Sequence, residues 1–363
     1  MANRAAWLHE KGGPFTVGEA PMPQPAANEI IIRSHAIAFN PADAVVWKTG
    51  LFVTELPAVV GCDVAGIVAA VGDGMGDAFK IGDRVLAAPN WSTKDRINKG
   101  SGQLYCAAVR GLIAILPDSV SFTDGCVLPA AMATAASMLY QKGNLELALP
   151  KLDMKSKEGS AVLLVWAGSS SVGSCAIQLA VAAGFEVATT CSSHNFGYCK
   201  DLGATFIFDH ASPTVVDDIV AALKGKSFAG AFDAVMYPES IINSAQIAHK
   251  LDGKKQVATV LPPMAASHVP AGLPEDISIS FCEYSRPQLH ISIPIDELGY
   301  STTISEDEVG PATFEWLTEA LAKGLVRCKP DPVIVGQGLE SVQAAVERME
   351  KGVSAAKLVV ELP

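Results

Sequence analysis

The segment Leu163–Cys191 constrains the fold more than any other part of the chain. Its sequence is LLVWAGSSSVGSCAIQLAVAAGFEVATTC, which reads as strand, tight turn, helix and second strand in close succession. The first strand is apolar on both faces, as a strand inside a parallel sheet must be. Gly168 permits the tight turn, and Gly173 lets the helix approach the sheet. This unit predicts an α/β fold with a doubly wound parallel sheet.

The chain continues this alternation and adds a part of a different kind. TFIFDH, FDAVMY and KQVATVL read as further strands separated by amphipathic helices, which predicts helices on both faces of the sheet. Before residue 121, short strands are punctuated by Gly and Pro, a pattern typical of a β-rich domain. The last strand, AAKLVVEL, is expected to return to that domain. We therefore predict a β-rich domain from residues 1–126, completed by 299–363, and a parallel-sheet domain from 127–298.

Composition disfavours several classes of function. The chain has 363 residues, of which 49% are hydrophobic and 18% charged, which suits two globular domains. Its eight cysteines contain no C-x-x-C pair, which argues against a disulfide framework and against a structural zinc loop. A net charge of −11 disfavours nucleic-acid binding. We expect no apolar run long enough to span a membrane and no signal peptide, so the predicted localisation is cytoplasmic.

The turn after the first strand predicts a dinucleotide site. The N-terminus of the following helix offers free N–H groups and a positive dipole end to a pyrophosphate, and the serine hydroxyls can add donors. A structural turn with ordinary helix-capping serines is the alternative. The cofactor-binding residues predicted here are Gly168, Ser169, Ser170, Ser171, Val172 and Gly173.

The second strand ends without an acidic residue. Sites that prefer NAD carry Asp or Glu there to bind the ribose hydroxyls, whereas this strand ends in Cys191-Ser192-Ser193. Neutral hydrogen-bonding groups with a cation nearby favour NADPH; a helix N-cap and a surface lysine would give the same pattern. The residues predicted to recognise the cofactor here are Ser192, Ser193, His194, Asn195 and Lys200.

Over nearly its full length the chain resembles the medium-chain dehydrogenase/reductase superfamily. The motifs are, in order, NPADA (40–44), GCDVAGIV (61–68), IGDRV (81–85), LPAAMATA (128–135), AGSSSVG (167–173), LGA (202–204) and KLVV (357–360). The stretches AGSSSVG, TCSSHNF and LGATFIFDH are most similar to the zinc-free enoyl reductases that work in trans with fungal polyketide synthases, and quinone oxidoreductases are also related. The resemblance implies a GroES-like β-rich domain and a Rossmann domain.

The residues argue against a catalytic zinc ion. Zinc alcohol dehydrogenases of this build use an early Cys, a His-Glu pair after a glycine, and a later Cys or Asp. Here the corresponding stretches are Phe39-Asn40-Pro41 and Cys62-Asp63. A catalytic zinc ion needs three protein ligands, which Cys62 alone does not supply. We therefore predict no metal and, as the resemblance implies, hydride transfer from NADPH to the β-carbon of an α,β-unsaturated thioester.

The resemblance also implies where the reacting groups bind. It places the nicotinamide beside the loop Asn40–Val45, the substrate near a helix that begins around Thr134, and the adenosine half near His210. Val45 stands where some members of this branch carry a lysine, so no proton donor is identified. For Asp43 a turn cap, for Thr134 a purely local hydrogen bond and for His210 a surface position stay open.

The implied residues fall into three sets. The catalytic candidates are Thr134, Asn40 and Asp43. The additional cofactor-binding candidates are Ala42, Asp43, Ala44, Val45, His210, Val260, Leu261 and Val353. The substrate-binding candidates are Thr134, Ala135, Met138, Ser278, Ile279 and Ser280.

The predicted partner is a polyketide synthase, or a hybrid polyketide/nonribosomal peptide synthetase, with its acidic carrier domain. Because the chain itself is acidic, docking requires a local basic patch, although a run of charge is often only a solvated loop. The candidates are Lys94, Arg96, Lys99, Lys151, Lys155 and Lys157.

Two other functions stay open, a stand-alone quinone or enone reductase and a non-catalytic NADPH-binding partner protein. The Pro- and Gly-rich segment Pro262–Ser301, with a predicted strand LHISIPI, favours a monomer.

Overall fold

A computed structural model describes residues 2–51, 53, 55–89, 96–154, 156–157, 159–260, 270–281 and 308–363. The chain divides into two compact units. The first unit comprises Met1–Ala133 and Ile293–Pro363, and the second comprises Thr134–Ser292. The boundaries predicted from the sequence lie a few residues from these divisions. The predicted strand LHISIPI lies outside the described residues.

The described part of the chain contains the following strands and helices. The strands are β1 (Asn3–Leu8), β2 (Phe15–Ala20), β3 (Glu29–Phe39), β4 (Ala58–Val59), β5 (Asp63–Val71), β6 (Arg84–Ala87), β7 (Tyr105–Val109), β8 (Ile113–Ile115), β9 (Val162–Trp166), β10 (Glu186–Cys191), β11 (Phe206–Asp209), β12 (Phe228–Asp233), β13 (Gln256–Thr259), β14 (Ser278–Phe281), β15 (Asp331–Gln337) and β16 (Ala356–Glu361). The helices are α1 (Pro41–Thr49), α2 (Arg96–Lys99), α3 (Phe122–Gly125), α4 (Pro129–Tyr140), α5 (Ser171–Ala182), α6 (Phe196–Asp201), α7 (Val215–Leu223), α8 (Pro238–Lys250), α9 (Val309–Ala322) and α10 (Val342–Glu350).

The long strand β3 organises the first unit. One of its edges pairs with β5, while the other pairs with β7 through Glu29–Arg33 and with β16 through Ala36–Phe39. The resulting sheet has the order β15-β16-β3-β5-β6-β8, and β2-β1-β4 form a smaller sheet. Nearly every residue of β3 is buried, which explains its almost continuous apolar sequence. The early and late parts of the chain therefore meet on this strand, as the sequence predicts.

The second unit contains a six-stranded parallel sheet with the order β11-β10-β9-β12-β13-β14. Its chain order reverses between β9 and β12, which is the Rossmann arrangement, and ligands of such sheets bind outside the carboxyl ends of the strands at this reversal. Helix α7 shows how the faces are covered, because it buries Val215, Ile219 and Leu223 at successive turns. The predicted α/β fold class is confirmed.

Two local predictions differ from the structure. The stretch Asn40–Val45 is predicted as a loop, yet α1 begins at Pro41. Asn40 is the N-cap, and its backbone N–H donates to the Asp43 carboxylate at 2.7 Å. Proline is favoured at the first helical position as well as in turns, so the same residues start a helix. Thr134 lies in the middle of α4 and not at its beginning.

One apolar stretch departs from the expectation that no segment could span a membrane. Among the described residues, Phe122–Tyr140 has sufficient length and hydropathy by those criteria alone. Of this window, 78% is buried inside the fold. Burial of that extent is typical of a core helix.

Candidate cofactor and active site

The turn after β9 is fixed to the end of β10. The Gly168 N–H donates to the Thr190 carbonyl at 2.9 Å, and the Ala167 N–H donates to the Thr190 hydroxyl at 3.0 Å. Ala167 has a positive φ of 64°, a conformation that costs energy for a residue with a side chain. These contacts join the turn to the end of β10.

Both glycines of the turn are required by close packing. A Cβ at Gly168 would lie 2.1 Å from the Thr189 hydroxyl oxygen, and one at Gly173 would lie 2.2 Å from the Ala167 carbonyl oxygen. These separations are far below van der Waals contact. The helix α5 therefore approaches the turn as closely as the sequence predicts for a phosphate-binding loop.

The serines of the turn organise the start of α5. Ser170 is its N-cap, and its hydroxyl accepts the Gly173 N–H at 3.0 Å. The Ser174 hydroxyl lies 2.7 Å from the Ser170 carbonyl and 2.7 Å from the Tyr198 hydroxyl. Ser170 thus has the capping role that was the alternative prediction. Ser169, Ser171 and Val172 are half-buried.

The end of β10 lies beside this turn. The buried Asn195 side chain is 3.4 Å from the Ser169 hydroxyl, and the Ser192 hydroxyl is 3.2 Å from the His210 ring Nε2. The structure therefore brings together residues from both predicted cofactor motifs. The exposed side chains at this position are those of Ser193, His194, Lys200 and His210.

A buried carboxylate at the end of β12 was missed by the sequence analysis. Asp233 accepts the Ser240 hydroxyl at 2.6 Å and the N–H groups of Val235 and Met236 at 2.9 and 3.1 Å. Burial raises the pKa of Asp233, although these hydrogen bonds oppose the shift. The signal in the sequence is a strand that ends in Asp, followed by a Ser within reach in the next helix. Asp233 fixes the loop at the reversal point of the sheet.

The end of β13 joins the same edge. The Val260 N–H donates to the Asp233 carbonyl at 3.2 Å, and the Val260 side chain is half-buried. Leu261, predicted with it, lies outside the described residues. The carboxyl ends of β12 and β13 are therefore linked, and the predicted contact of Val260 with the cofactor stays a prediction.

In the first unit, four polar groups meet where β3 ends and β5 begins. The Asn40 amide donates to the Asp63 carboxylate at 2.7 Å and to the Cys62 sulfur at 3.1 Å, so both its hydrogens are engaged. The Lys357 ammonium lies 3.0 Å from Asp63 and donates to the Asn40 amide oxygen at 2.5 Å. The other Asp63 oxygen accepts the Ala130 N–H at 2.6 Å. We call Asn40, Cys62, Asp63 and Lys357 the lysine cluster.

The lysine cluster is buried and electrically paired. Lys357 is 1% exposed and Asp63 is fully buried. Burial by itself would lower the pKa of Lys357, but the charges of Asp63, Cys62 and Asp43 outweigh burial and raise it. The structure therefore pairs a buried ammonium with a buried carboxylate. These contacts give Asn40 and Asp43 a positioning role at the start of α1, and their predicted catalytic contacts stay predictions.

The other predicted residues have varied surroundings. Ala44 is buried in the apolar core of the first unit. Its side chain therefore does not present the surface that the predicted cofactor contact requires. Ala42 is half-buried, whereas Val45 and Val353 are exposed.

The predicted substrate residues lie mostly inside the second unit. Thr134 is 6% exposed, and Ala135 and Met138 are fully buried, so neither of the latter two presents surface to a substrate. Ser278, Ile279 and Ser280 form the edge strand β14, where Ile279 packs against the apolar core. All three therefore have a role in the sheet, the Ser278 side chain is exposed, and their predicted contacts with a substrate stay predictions.

The predicted basic patch is only partly present. The Lys99 ammonium lies 2.8 Å from the Glu29 carboxylate, and the Lys99 side chain is 15% exposed. The prediction that Lys99 contributes to docking therefore does not fit its position. Lys151 and Lys157 are exposed. Lys94, Lys155 and the side chain of Arg96 lie outside the described residues.

A doubly wound sheet with this turn at its reversal point is typical of dinucleotide-binding domains, and comparisons with known proteins identify the chain as an oxidoreductase. The alcohol dehydrogenase GroES-like domain model matches residues 26–138, and the zinc-binding dehydrogenase model matches residues 171–262. The chain is 38% identical over 373 residues to dehydrogenase orsE of Emericella nidulans, with 99% of each chain covered.

Two further similarities name a reaction for the relatives. The chain is 33% identical over 364 residues to trans-enoyl reductase himH of Aspergillus japonicus, covering 100% of this chain and 98% of that protein. It has the fold of the CurK enoyl reductase crystal structure, with a TM-score of 0.73, 18% identity and 100% of each chain covered. The chain therefore belongs to the medium-chain dehydrogenase/reductase superfamily, whose members use NAD or NADP.

The family name raises the question of a zinc ion. A catalytic zinc ion takes three protein ligands, usually from Cys, His, Asp and Glu. Within the described ranges, no group of three or more such side chains could hold a metal. Asn40, Cys62 and Asp63 do lie together, but the Lys357 ammonium already contacts two of them. The described residues at this position therefore do not fit a zinc ion.

Proposed function

We propose that this oxidoreductase is an NADPH-dependent enoyl reductase that acts in trans on a carrier-bound polyketide thioester. The observation that carries the cofactor choice is the end of β10. There the exposed groups are the Ser193 hydroxyl and the His194 ring, and Ser192 is paired with His210. The similarity to trans-enoyl reductase himH supports the reaction.

The charges around β10 favour a phosphorylated ribose. A carboxylate directly after this strand would bind the ribose hydroxyls and repel a 2′-phosphate, and residues 191–195 contain none. The nearest acid on the neighbouring strand, Asp209, accepts the Ala211 N–H at 3.0 Å. The exposed Lys200 supplies a positive charge one turn into α6.

The chain's own residues have two tasks in the proposed reaction. The first turn of α5 and the hydroxyls of Ser169 and Ser171 hold the pyrophosphate by hydrogen bonds and by the helix dipole. When bound, NADPH supplies the hydride that reduces the carbon–carbon double bond. The protein must also stabilise the negative charge that develops on the thioester oxygen, for which the Thr134 hydroxyl is the predicted donor.

Substitution of Ser193 by Asp tests the cofactor choice. A carboxylate about 4 Å from a 2′-phosphate repels it by at least about 1 kcal/mol, and by more at lower dielectric constant. We expect Ser193→Asp to weaken NADPH binding about tenfold or more and to leave NADH binding unchanged or tighter, as measured by fluorescence titration. The matched control is Ser119→Asp, at an exposed serine of the first unit, which should change neither. Equal weakening by both variants would contradict the assignment.

Substrate assays test the reaction. We expect NADPH oxidation with an α,β-unsaturated thioester of pantetheine and faster turnover when the same acyl group is carried by a carrier domain. Oxidation with simple quinones but with no enoyl thioester would favour a stand-alone quinone reductase. Binding of NADPH without transfer to any activated alkene would favour a non-catalytic partner protein.

A further inference from the structure

Ser174 lies in the first turn of α5 and is fully buried. Its hydroxyl has one hydrogen, which it donates to the Ser170 carbonyl at 2.7 Å, and the Gly168 carbonyl is 3.2 Å away. The Ser174 N–H donates to the same Ser170 carbonyl at 2.8 Å. Both polar hydrogens of Ser174 are therefore directed to the backbone of the turn that precedes α5.

Tyr198 of α6 contacts Ser174 from the neighbouring helix. The two hydroxyl oxygens are 2.7 Å apart, and Tyr198 is half-buried. Because the hydrogen of the Ser174 hydroxyl is engaged with a carbonyl, Tyr198 is the donor and Ser174 is the acceptor. A chain of hydrogen bonds therefore runs from the Tyr198 hydroxyl through Ser174 to the Ser170 carbonyl.

The residues that follow β10 have two sides with different surroundings. On the inner side, Asn195 lies 3.4 Å from the Ser169 hydroxyl, and Tyr198, three positions later, contacts Ser174. The start of α6 is thus joined to the turn and to the first turn of α5 at two points. The outer side carries the exposed groups near the proposed site of the 2′-phosphate, which are Ser193, His194 and Lys200.

We propose that Tyr198 is a positioning residue that fixes the separation between the two phosphate sites of the cofactor and thereby raises the affinity for NADPH. This inference rests on the proposed function, because it requires the pyrophosphate at the first turn of α5 and the 2′-phosphate at the start of α6. A ligand that is held at two points gains most affinity when both sites are already at the right separation. Tyr198 acts on this separation through Ser174.

Ligands that occupy one or both phosphate sites distinguish this role from a general structural one. NADPH carries both groups, ADP carries only the pyrophosphate, and adenosine 2′-monophosphate carries only the 2′-phosphate. Loss of the Tyr198 hydroxyl leaves the groups of each site in place, because Gly168 and Ala167 still join the turn to Thr190. Only the ligand that bridges both sites should therefore lose affinity.

Calorimetric titration of Tyr198→Phe with these three ligands tests the proposal. We expect the Kd for NADPH to rise about fivefold, as for the loss of one hydrogen bond, and the Kd for each of the other two ligands to change by less than about twofold. Ser174→Ala should weaken NADPH binding at least as much. The double variant Tyr198→Phe/Ser174→Ala should lose no more than Ser174→Ala, because both groups act through the same hydrogen bond.

The matched control is Tyr140→Phe in the same unit. The Tyr140 hydroxyl donates to the Leu179 carbonyl of α5 at 3.2 Å, so this variant also keeps the ring and removes one hydrogen bond to that helix. It should leave all three Kd values unchanged. An unchanged Kd for NADPH in Tyr198→Phe, an equal change for all three ligands, or an equal loss in Tyr140→Phe would overturn this inference alone. A wild type that binds no NADPH would overturn the proposed function and this inference with it.

Discussion

Replacement of Gly173 by Ala is the most direct perturbation of the turn after β9, the proposed cofactor site. The added Cβ would lie 2.2 Å from the Ala167 carbonyl oxygen and 2.9 Å from the Gly168 Cα, both backbone atoms of the turn. An ordinary contact of this kind needs a separation about 1 Å longer. The turn cannot simply retreat, because Gly168 and Ala167 are hydrogen-bonded to Thr190.

The magnitude follows from two opposing effects. Ala is favoured over Gly inside a helix by about 1 kcal/mol, whereas overpacking of a well-packed site costs about 1–3 kcal/mol. The free energy of unfolding should therefore fall by at most about 2 kcal/mol. Cofactor binding should suffer more, because a shift of about 1 Å would misalign the N–H groups that are proposed to bind the pyrophosphate. We expect the Kd for NADPH to rise about 10- to 100-fold, which is about 1.4–2.8 kcal/mol.

Fluorescence titration with NADPH and urea unfolding measure the two quantities. The matched control is Gly197→Ala in the first turn of α6, where an added Cβ meets no atom within 4 Å. That variant should be at least as stable as the wild type and should bind NADPH with unchanged affinity. An unchanged Kd in Gly173→Ala, or an equal loss in Gly197→Ala, would refute the assignment of this turn to the cofactor.

Three further outcomes follow from the structure. Lys357→Met should lower the free energy of unfolding by about 3–5 kcal/mol because it leaves the buried Asp63 carboxylate without its cation. The double variant Lys357→Met/Asp63→Asn should recover most of that stability, and an equal loss in both variants, measured by urea unfolding, would contradict the Lys357–Asp63 pairing. Burial raises the pKa of Asp233 in the folded state. The contribution of Asp233 to the free energy of unfolding is therefore complete below the pKa of an unfolded Asp, about 4, and is lost as the pH rises through the folded pKa. Asp233→Asn should make the free energy of unfolding, measured with urea at a series of pH values, fall less steeply as the pH rises. An unchanged dependence on pH would contradict this role of Asp233. Lys151→Glu/Lys157→Glu should slow turnover of a carrier-bound substrate and spare a free pantetheine thioester, whereas equal rates on the carrier-bound form would remove these residues from docking.

The glycine-containing turn after β9 could be predicted from the sequence because its determinants are local, whereas its binding of a cofactor stays a prediction. Gly168 and Gly173 are five residues apart in one strand–turn–helix unit, and the absence of an acid after β10 is visible in the chain itself. The strands β9 to β13 were predictable for a similar reason, since hydrophobic periodicity reports strands and helices directly. The edge strand β14 was missed because the surrounding Pro- and Gly-rich segment masks its short pattern.

The lysine cluster could not be predicted in the same way. Lys357 and Asn40 are 317 positions apart, and only the register of β3, β5 and β16 brings them together. The helix α1 was missed for another reason, since Asn-Pro is a turn signal and also an N-cap followed by proline. The Asp two residues after that proline is the feature that favours a helix, because it can accept the N-cap N–H.

The position of β16 on β3 has a consequence for how the chain is made. The second unit is one continuous segment, Thr134–Ser292, whereas the first needs strands from both parts of the chain. During synthesis the parallel sheet can form while the part of β3 that pairs with β16, Ala36–Phe39, still has an unpaired edge. A ribosome stalled before β16 emerges would therefore leave a nascent protein with a folded core and an unpaired strand, which is a natural substrate for chaperones.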